Sequence, residues 1–357
     1  LEDEPRFDYS GGATCPSLLL EPSRTQLLPY TEYFDGYSNT GSTDEPNAAT
    51  SPEGLTNATF LKEDTSTGSH ILIETTAATA GVYTASVFAK ANGRDWLFLN
   101  IAPAANYGAN FNLSNGTTGT IQSNITSATI EDYGNGWYRC SITADTTTSA
   151  ISPRIAMYLA TADSTLTYTG DGTSGIYIWG AQLEAGSYPT SYIPNHSGGT
   201  ITRGADVCGD AGDVNTFNST EGVLYLEASA IDNGSSEKGL ALNDGSTNNR
   251  INIRIVNNDI KAYGIVGGSL VCLMTYTDPS VTGINKIAFK YKENDFALWV
   301  NGVERVTDNS GSIFPANTLN ELSFDYGGAS AFFYGNVKQV LTFNTALSDA
   351  DLTTLTT

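Results

Sequence analysis

Only two histidines, four cysteines and 17 lysines and arginines occur in 357 residues. Each scarcity removes a class of function. His70 opens an apolar run and His196 lies among Gly, Pro and Ser, so neither sits in a Ser-His-Asp or Cys-His setting. Cys15, Cys140, Cys208 and Cys272 lie far apart and form no C-x-x-C pair, which supports neither a zinc site nor a dense disulfide framework. Cys140 and Cys272 fall in strand-like runs and read as buried free thiols, whereas a bridge between Cys15 and Cys208 stays open. Against 38 acidic residues the few basic ones leave a net charge of −21, which argues against nucleic acid as a partner. The acidic surplus favours solubility and offers oxygen ligands for Ca²⁺. No apolar run approaches the roughly 18 residues of a membrane span, so membrane insertion is not expected. H-E-x-x-H, G-x-x-x-x-G-K-[ST], G-x-S-x-G and G-x-G-x-x-G are all absent. With no starting Met and no signal-peptide pattern, Leu1 is expected to be an internal position of a longer polypeptide.

What is present is Gly 36, Tyr 19, Phe 14 and Trp 4, with Ser, Thr and Asn throughout. Aromatics favour strands and the small polar residues favour turns, so the expected fold is all-β. The length suits two β-sandwich or jelly-roll domains in tandem. Residues 1–30 read as an extended lead segment. Residues 31–194 hold short strands such as "DWLFLNI", "RIAMYL" and "GIYIWGAQLE", separated by Gly/Asn turns. In the last of these, Tyr177, Trp179, Ala181 and Leu183 are expected on one face. Ile176, Ile178 and Gly180 are expected on the other. Both faces are apolar, so Trp179 is expected in a core that closes the first domain. Residues 195–215 read as a linker and 216–357 as the second sandwich.

That second sandwich shows one-sided alternation. Ile251, Ile253 and Ile255 face one way, and Arg250, Asn252 and Arg254 the other. Asn301-Gly302 between two Val residues is a strong hairpin signal, because both turn positions need positive φ. Ser348, with Asp351 three residues on, has capping-box spacing and predicts a short C-terminal helix.

Little here points to chemistry. Glycoside hydrolysis needs two carboxylates about 5 to 10 Å apart. The nearest approach, Glu293 and Asp295 in "KENDFAL", falls at an expected turn. The chain is therefore expected not to be an enzyme and to require no cofactor. Asp171, Asp210, Asp213, Asp232 and Asp244 lie in acid- and Asn-rich turns that could hold a structural Ca²⁺, though turn-forming Asp is the plainer account. Sugar rings present apolar C–H faces, and a flat aromatic with a nearby amide or carboxylate is suited to hold them. Candidate carbohydrate-binding residues are Trp96, Tyr107, Trp137, Trp299, Tyr326 and Tyr334, the last two in "FDYGGASAFFY".

"EPRFDYSGGATCPSLLLEPSRTQLL", "ATIEDYGNGWYRCSIT", "YTGDGTSGIYIWGAQLEAGSYPTSYIPN" and "TITRGADVC" resemble a mosaic found in tailed-bacteriophage and prophage virion surface proteins. These are tail-fibre and head-fibre proteins that carry carbohydrate-binding-module-like jelly rolls, and the resemblance covers residues 1 to about 210. "FALWVNGVERV" and "GNVKQVLTFNTALSDADLTTL" resemble concanavalin A-like (laminin-G-like) domains. The resemblance implies a virion appendage, extracellular when acting, that binds host surface polysaccharide without catalysis. It also implies a homotrimer, and contact with other virion proteins through an upstream region. A binding part of a polysaccharide-degrading enzyme and a purely structural capsid or tail decoration are the alternatives.

Overall fold

The computed structural model describes residues 4–9, 14–278 and 280–357. The chain is all-β, and Asp349–Thr356 is the only helix among the described residues. It divides into two compact units, one of Ser23–Gly204 and one of Leu1–Pro22 with Ala205–Thr357. This differs from the division into lead, jelly roll, linker and sandwich. Strand Ser17–Leu20 pairs with Gly335–Phe343 in the second unit, whereas Arg24–Gln26 pairs with Ile201–Arg203 in the first. The expected lead is thus split at Pro22, and the expected linker at Gly204. The cause is burial: Leu20 joins the second core, and Arg6 bridges Glu21 at 2.6 Å and also pairs with Asp206.

The first sandwich stacks two six-stranded antiparallel sheets. The front sheet runs Thr117–Ile121, Gly108–Asn112, Trp96–Asn100, Arg154–Ala160, His70–Thr75 and Ser38–Thr40. The back sheet runs Ile125–Asp132, Tyr138–Asp145, Val82–Asn92, Gly175–Ala185, Thr56–Glu63 and Ser42–Thr50. Leu97, Leu99, Met157, Val87, Ile142 and Ile178 meet in the core between them. Each such side chain contributes about 1.5–3 kcal/mol by burial.

Strand Gly175–Ala185 departs from simple alternation. Its register shifts between Trp179 and Gln182, and Gly180 takes φ +62°. This bulge inserts a residue, so Ile176, Ile178, Ala181 and Leu183 all face the core. The face assignment expected from the sequence is corrected here: Trp179 does not share a face with Ala181 and Leu183. It packs on the outside of the back sheet with Phe88, Trp137 and Ala58, beside the partly buried Tyr177. Trp179 is nonetheless buried, because residues 186–195 fold over it as a strap. Tyr192 places its ring centroid 4.7 Å from that of Trp179.

The second sandwich has a seven-stranded sheet: Phe7–Asp8, Ser17–Leu20, Gly335–Phe343, Glu221–Ala230, Asn285–Lys292, Phe296–Val300 and Val303–Asp308. Facing it are Ser269–Thr277, Asp259–Val266, Arg250–Val256, Lys238–Asn243 and Glu321–Ser323. Ile251, Ile253, Ile255, Phe289, Phe296 and Leu298 fill the core, as alternation predicts. Asn301 and Gly302 adopt φ of 50° and 78° in the turn that pairs Val300 with Val303. Ser348 caps the helix by accepting from the Asp351 amide, and Leu352 packs on Val223, Tyr225, Ala288, Ala297 and Trp299 outside the seven-stranded sheet. No cysteine is disulfide-bonded: Cys15 is exposed, Cys208 is partly buried, and Cys140 and Cys272 are buried free thiols.

Candidate functional site

The two outer faces of the first sandwich differ. On the back sheet, Trp137 is 2% exposed and donates its indole N–H to the Thr50 carbonyl at 3.0 Å. There the strap is tied down by Gln182, Glu184 and Arg139, which bind the backbone around Thr190. On the front sheet, Trp96, Tyr158, Arg154 and Ile73 stay partly exposed.

Alternation builds this front face. Leu97 and Leu99 point into the core, so Trp96, Phe98 and Asn100 point out. On the neighbouring strand Ile155, Met157 and Leu159 point in, leaving Arg154 and Tyr158 outside. The register sets Phe98 beside Tyr158 on one side and Asn110 on the other. Phe98 and Tyr158 meet edge to face at 5.5 Å. Phe98 lies across Gly108, where an added Cβ would come within 2.3 Å of its ring. Trp96 and Asp163 both crowd Gly119, at 2.6 and 2.9 Å from a Cβ there.

Polar groups around these rings are held in place. Arg154 donates to the Asn100 Oδ1 from Nε at 3.2 Å and from Nη2 at 2.9 Å. Asn100 in turn donates to the Ala104 and Tyr107 carbonyls at 2.9 and 3.1 Å. Asp163 accepts from the Thr120 amide at 3.0 Å and its hydroxyl at 2.9 Å. The result is a face whose partly exposed rings are Trp96 and Tyr158, backed by buried Phe98 and flanked by the Arg154 guanidinium, which buried Asn100 holds, and by the Asp163 carboxylate. Such a surface can stack on the C–H face of a ring and hydrogen-bond its hydroxyls.

Of the aromatics expected from the sequence, only Trp96 belongs to this face. Tyr107 is buried and donates its hydroxyl to Ser149 at 2.8 Å, so it offers no platform. Trp137 lies under the back-sheet cluster, and Trp299, 5% exposed, lies under the helix. These three are corrected to packing residues. Tyr326 and Tyr334 are partly exposed on the second sandwich. Tyr326 stacks over Arg250 and Arg254, and Tyr334 lies beside Phe332 at 6.4 Å. Phe98, Tyr158, Asn100 and Arg154 were missed. Their signal was alternation, W-x-F-x-N in "DWLFLNI" and R-x-x-x-Y in "RIAMYL".

The turn carboxylates are engaged locally. Asp171 accepts from the Ser174 hydroxyl and amide at 2.6 and 2.7 Å and from the Thr173 amide at 2.7 Å, which holds it well below its usual pKa. Asp213 caps Asn215 and Thr216, and Asp244 binds Ser246 and Asn249. Asp232 pairs with Lys238 at 2.8 Å. Asp210 and Asp213 line an open cavity of about 370 Å³ with Asn320 and Glu321. Among the described residues no group of three or more His, Cys, Asp or Glu is arranged to hold a metal ion. Glu293 is exposed, and Asp295 pairs with Lys290 at 2.7 Å.

No family model matches the chain, and no curated protein does. Among solved structures, it is similar to the Ruminococcus gnavus IT-sialidase CBM40 at 16% identity, over 39% of this chain and 84% of that one, with a TM-score of 0.34. The same module bound to alpha2,6 sialyllactose aligns at 14% identity over 42% and 94%, with a TM-score of 0.35. Domains LG4-5 of the mouse laminin alpha1 chain align at 10% identity over 80% and 92%, with a TM-score of 0.28.

Proposed function

We propose that the first sandwich binds a glycan on the outer face of its front sheet, without catalysis. The observation that carries this reading is the pair of partly exposed rings Trp96 and Tyr158, backed by buried Phe98 and set beside the Arg154 guanidinium that Asn100 holds, on a face that remains partly exposed while the opposite face is strapped over. A purely structural decoration predicts that Trp96, Trp137 and Trp299 are all buried; Trp137 and Trp299 are, whereas Trp96 is partly exposed.

Within the same proposal the chain is a virion appendage, a fibre or surface decoration, that attaches to host cell-surface polysaccharide and assembles as a homotrimer. That part rests on the sequence phrases of residues 1 to about 210. The test is a glycan array with the full chain, run with Ca²⁺ and again with EDTA. Selective binding that falls with Trp96→Ala and Tyr158→Ala supports the front-sheet site. Loss with EDTA would add a structural Ca²⁺ to it. A folded chain that binds no surface polysaccharide would overturn glycan binding in favour of decoration.

A further inference from the structure

The outer face of the five-stranded sheet in the second sandwich holds a buried arginine, Arg250, that pairs with no carboxylate among the described residues. Alternation sends Ile251, Ile253 and Ile255 into the core and leaves Arg250, Asn252 and Arg254 outside on the same strand. The register places Tyr263 beside Asn252 and Lys261 beside Arg254. Tyr326, from the segment after Glu321–Ser323, lies across both arginines, with its ring centroid 4.4 Å from Arg254 Cζ and 5.0 Å from Arg250 Cζ. Tyr263 takes the other approach to Arg254 at 4.1 Å. Each arginine is 8% exposed.

Among the described residues Arg254 and Lys261 have carboxylate partners and Arg250 does not. Glu237 accepts from Arg254 at 3.0 Å, and Asp259 lies 3.5 Å from Lys261. Arg250 forms no ion pair among the described residues, and its Nη1 donates only to the Thr247 carbonyl. The Nε atoms of both arginines and the Oδ1 of fully buried Asn252 have no hydrogen-bond partner among the described residues. Burial, and then repulsion from Arg254, push the Arg250 guanidinium below its ordinary pKa. A buried guanidinium with one backbone acceptor and no carboxylate is costly, and a bound anion would offset that cost.

We propose that this face is a second ligand site, which takes an oxyanion, carboxylate or sulfate, carried on a saccharide. Arg250 is its charge partner, because a guanidinium fork matches the two oxygens of such a group. Tyr263 and Tyr326 are partly exposed and flank the guanidiniums, so their free edges and faces meet the sugar ring that bears the anion. Asp325 anchors Tyr326 in place, accepting from the Ser323 hydroxyl and the Gly327 amide, each at 2.6 Å. The site lies in the other sandwich from the front-sheet face and stands or falls independently of it.

The test is affinity electrophoresis of the full chain through gels containing polygalacturonate, dextran sulfate or neutral dextran. A chain of net charge −21 is repelled by polyanions in general, so retardation reports a local site. The expected result is retardation by at least one polyanion and none by dextran. Polygalacturonate alone would assign a carboxylate, and dextran sulfate alone a sulfate. Arg250→Gln should weaken the retardation about tenfold or more, the usual scale of a hydrogen bond to a charged group. Arg250→Lys keeps the charge without the fork and should fall between, giving a second reading should Arg250→Gln fail to fold. No retardation of the folded chain by either polyanion, or retardation that neither Arg250 variant alters, overturns the site.

Discussion

The carboxylate of Glu184 accepts from the Thr190 amide at 2.8 Å and from the Thr190 hydroxyl at 2.7 Å, with Glu184 wholly buried. Gln182 also donates to it at 2.6 Å, and Arg24 lies 3.5 Å away. The bulge at Gly180 makes this contact, because without the extra residue Gln182 and Glu184 would face the core. Glu184→Ala leaves these donors unpaired and should cost about 3 kcal/mol. Denaturant unfolding followed by tryptophan fluorescence would check it, since Trp179 lies under the strap. An unchanged midpoint would mean that the strap is held by the aromatic cluster alone.

Exposure separates the tryptophans into two classes with different expected phenotypes. Trp96→Ala and Tyr158→Ala remove partly exposed rings from the front sheet. Each should weaken glycan binding by about 1 kcal/mol, near fivefold, with little loss of stability. Trp137→Ala and Trp299→Ala empty buried sites and should destabilise by about 3–5 kcal/mol. Calorimetry with an array-identified glycan, alongside thermal melts, would resolve the two. Full binding by both front-sheet variants would remove the aromatic face as the site.

The same contrast explains what was legible in the sequence. Ile251, Ile253 and Ile255 alternate without interruption, so their shared face was readable, as was the Asn301-Gly302 turn with its two positive φ values. Trp179 was placed correctly as buried but on the wrong face, because one bulge residue reverses every side chain after it. Tyr107 looks like a surface aromatic between Asn106 and Gly108, yet it is buried, with its hydroxyl donated to Ser149, 42 residues on. The front-sheet group was missed for a related reason. Trp96 and Tyr158 share a face only through the pairing of two strands far apart in sequence, Trp96–Asn100 with Arg154–Ala160. Local patterning carries strand identity and facing, whereas pairing, bulges and coverage are decided by tertiary structure.

The C-terminal helix offers a test of packing apart from binding. Leu352 is its fully buried apolar anchor over Trp299 and Ala297. Leu352→Ala should cost about 2–4 kcal/mol and red-shift the Trp299 emission as the helix loosens. Ser348→Ala, which removes the cap, should cost only about 1 kcal/mol. Glycan binding at the front sheet should be unaffected by either. Equal costs for the two would show that the helix is held by its cap rather than by Leu352.

Acid should loosen the turns of the first sandwich in a defined direction. The hydroxyl of Ser174, then the amides of Ser174 and Thr173, lower Asp171 from its ordinary value of 3.8. Asp145 and Asp64 are lowered in the same way, chiefly by the hydroxyls of Thr147 and Ser66. A carboxylate whose folded pKa lies below its unfolded one binds fewer protons in the native state. Its stabilisation is therefore complete above 3.8 and is lost as pH falls through the depressed folded value. Asp171→Ala should melt below the parent chain near about pH 7, and the gap should close as pH falls toward about 2. Thermal melts across that range would read it. A gap that stays constant would mean that the charge of Asp171 adds nothing, leaving a turn held by geometry that protonation does not disturb.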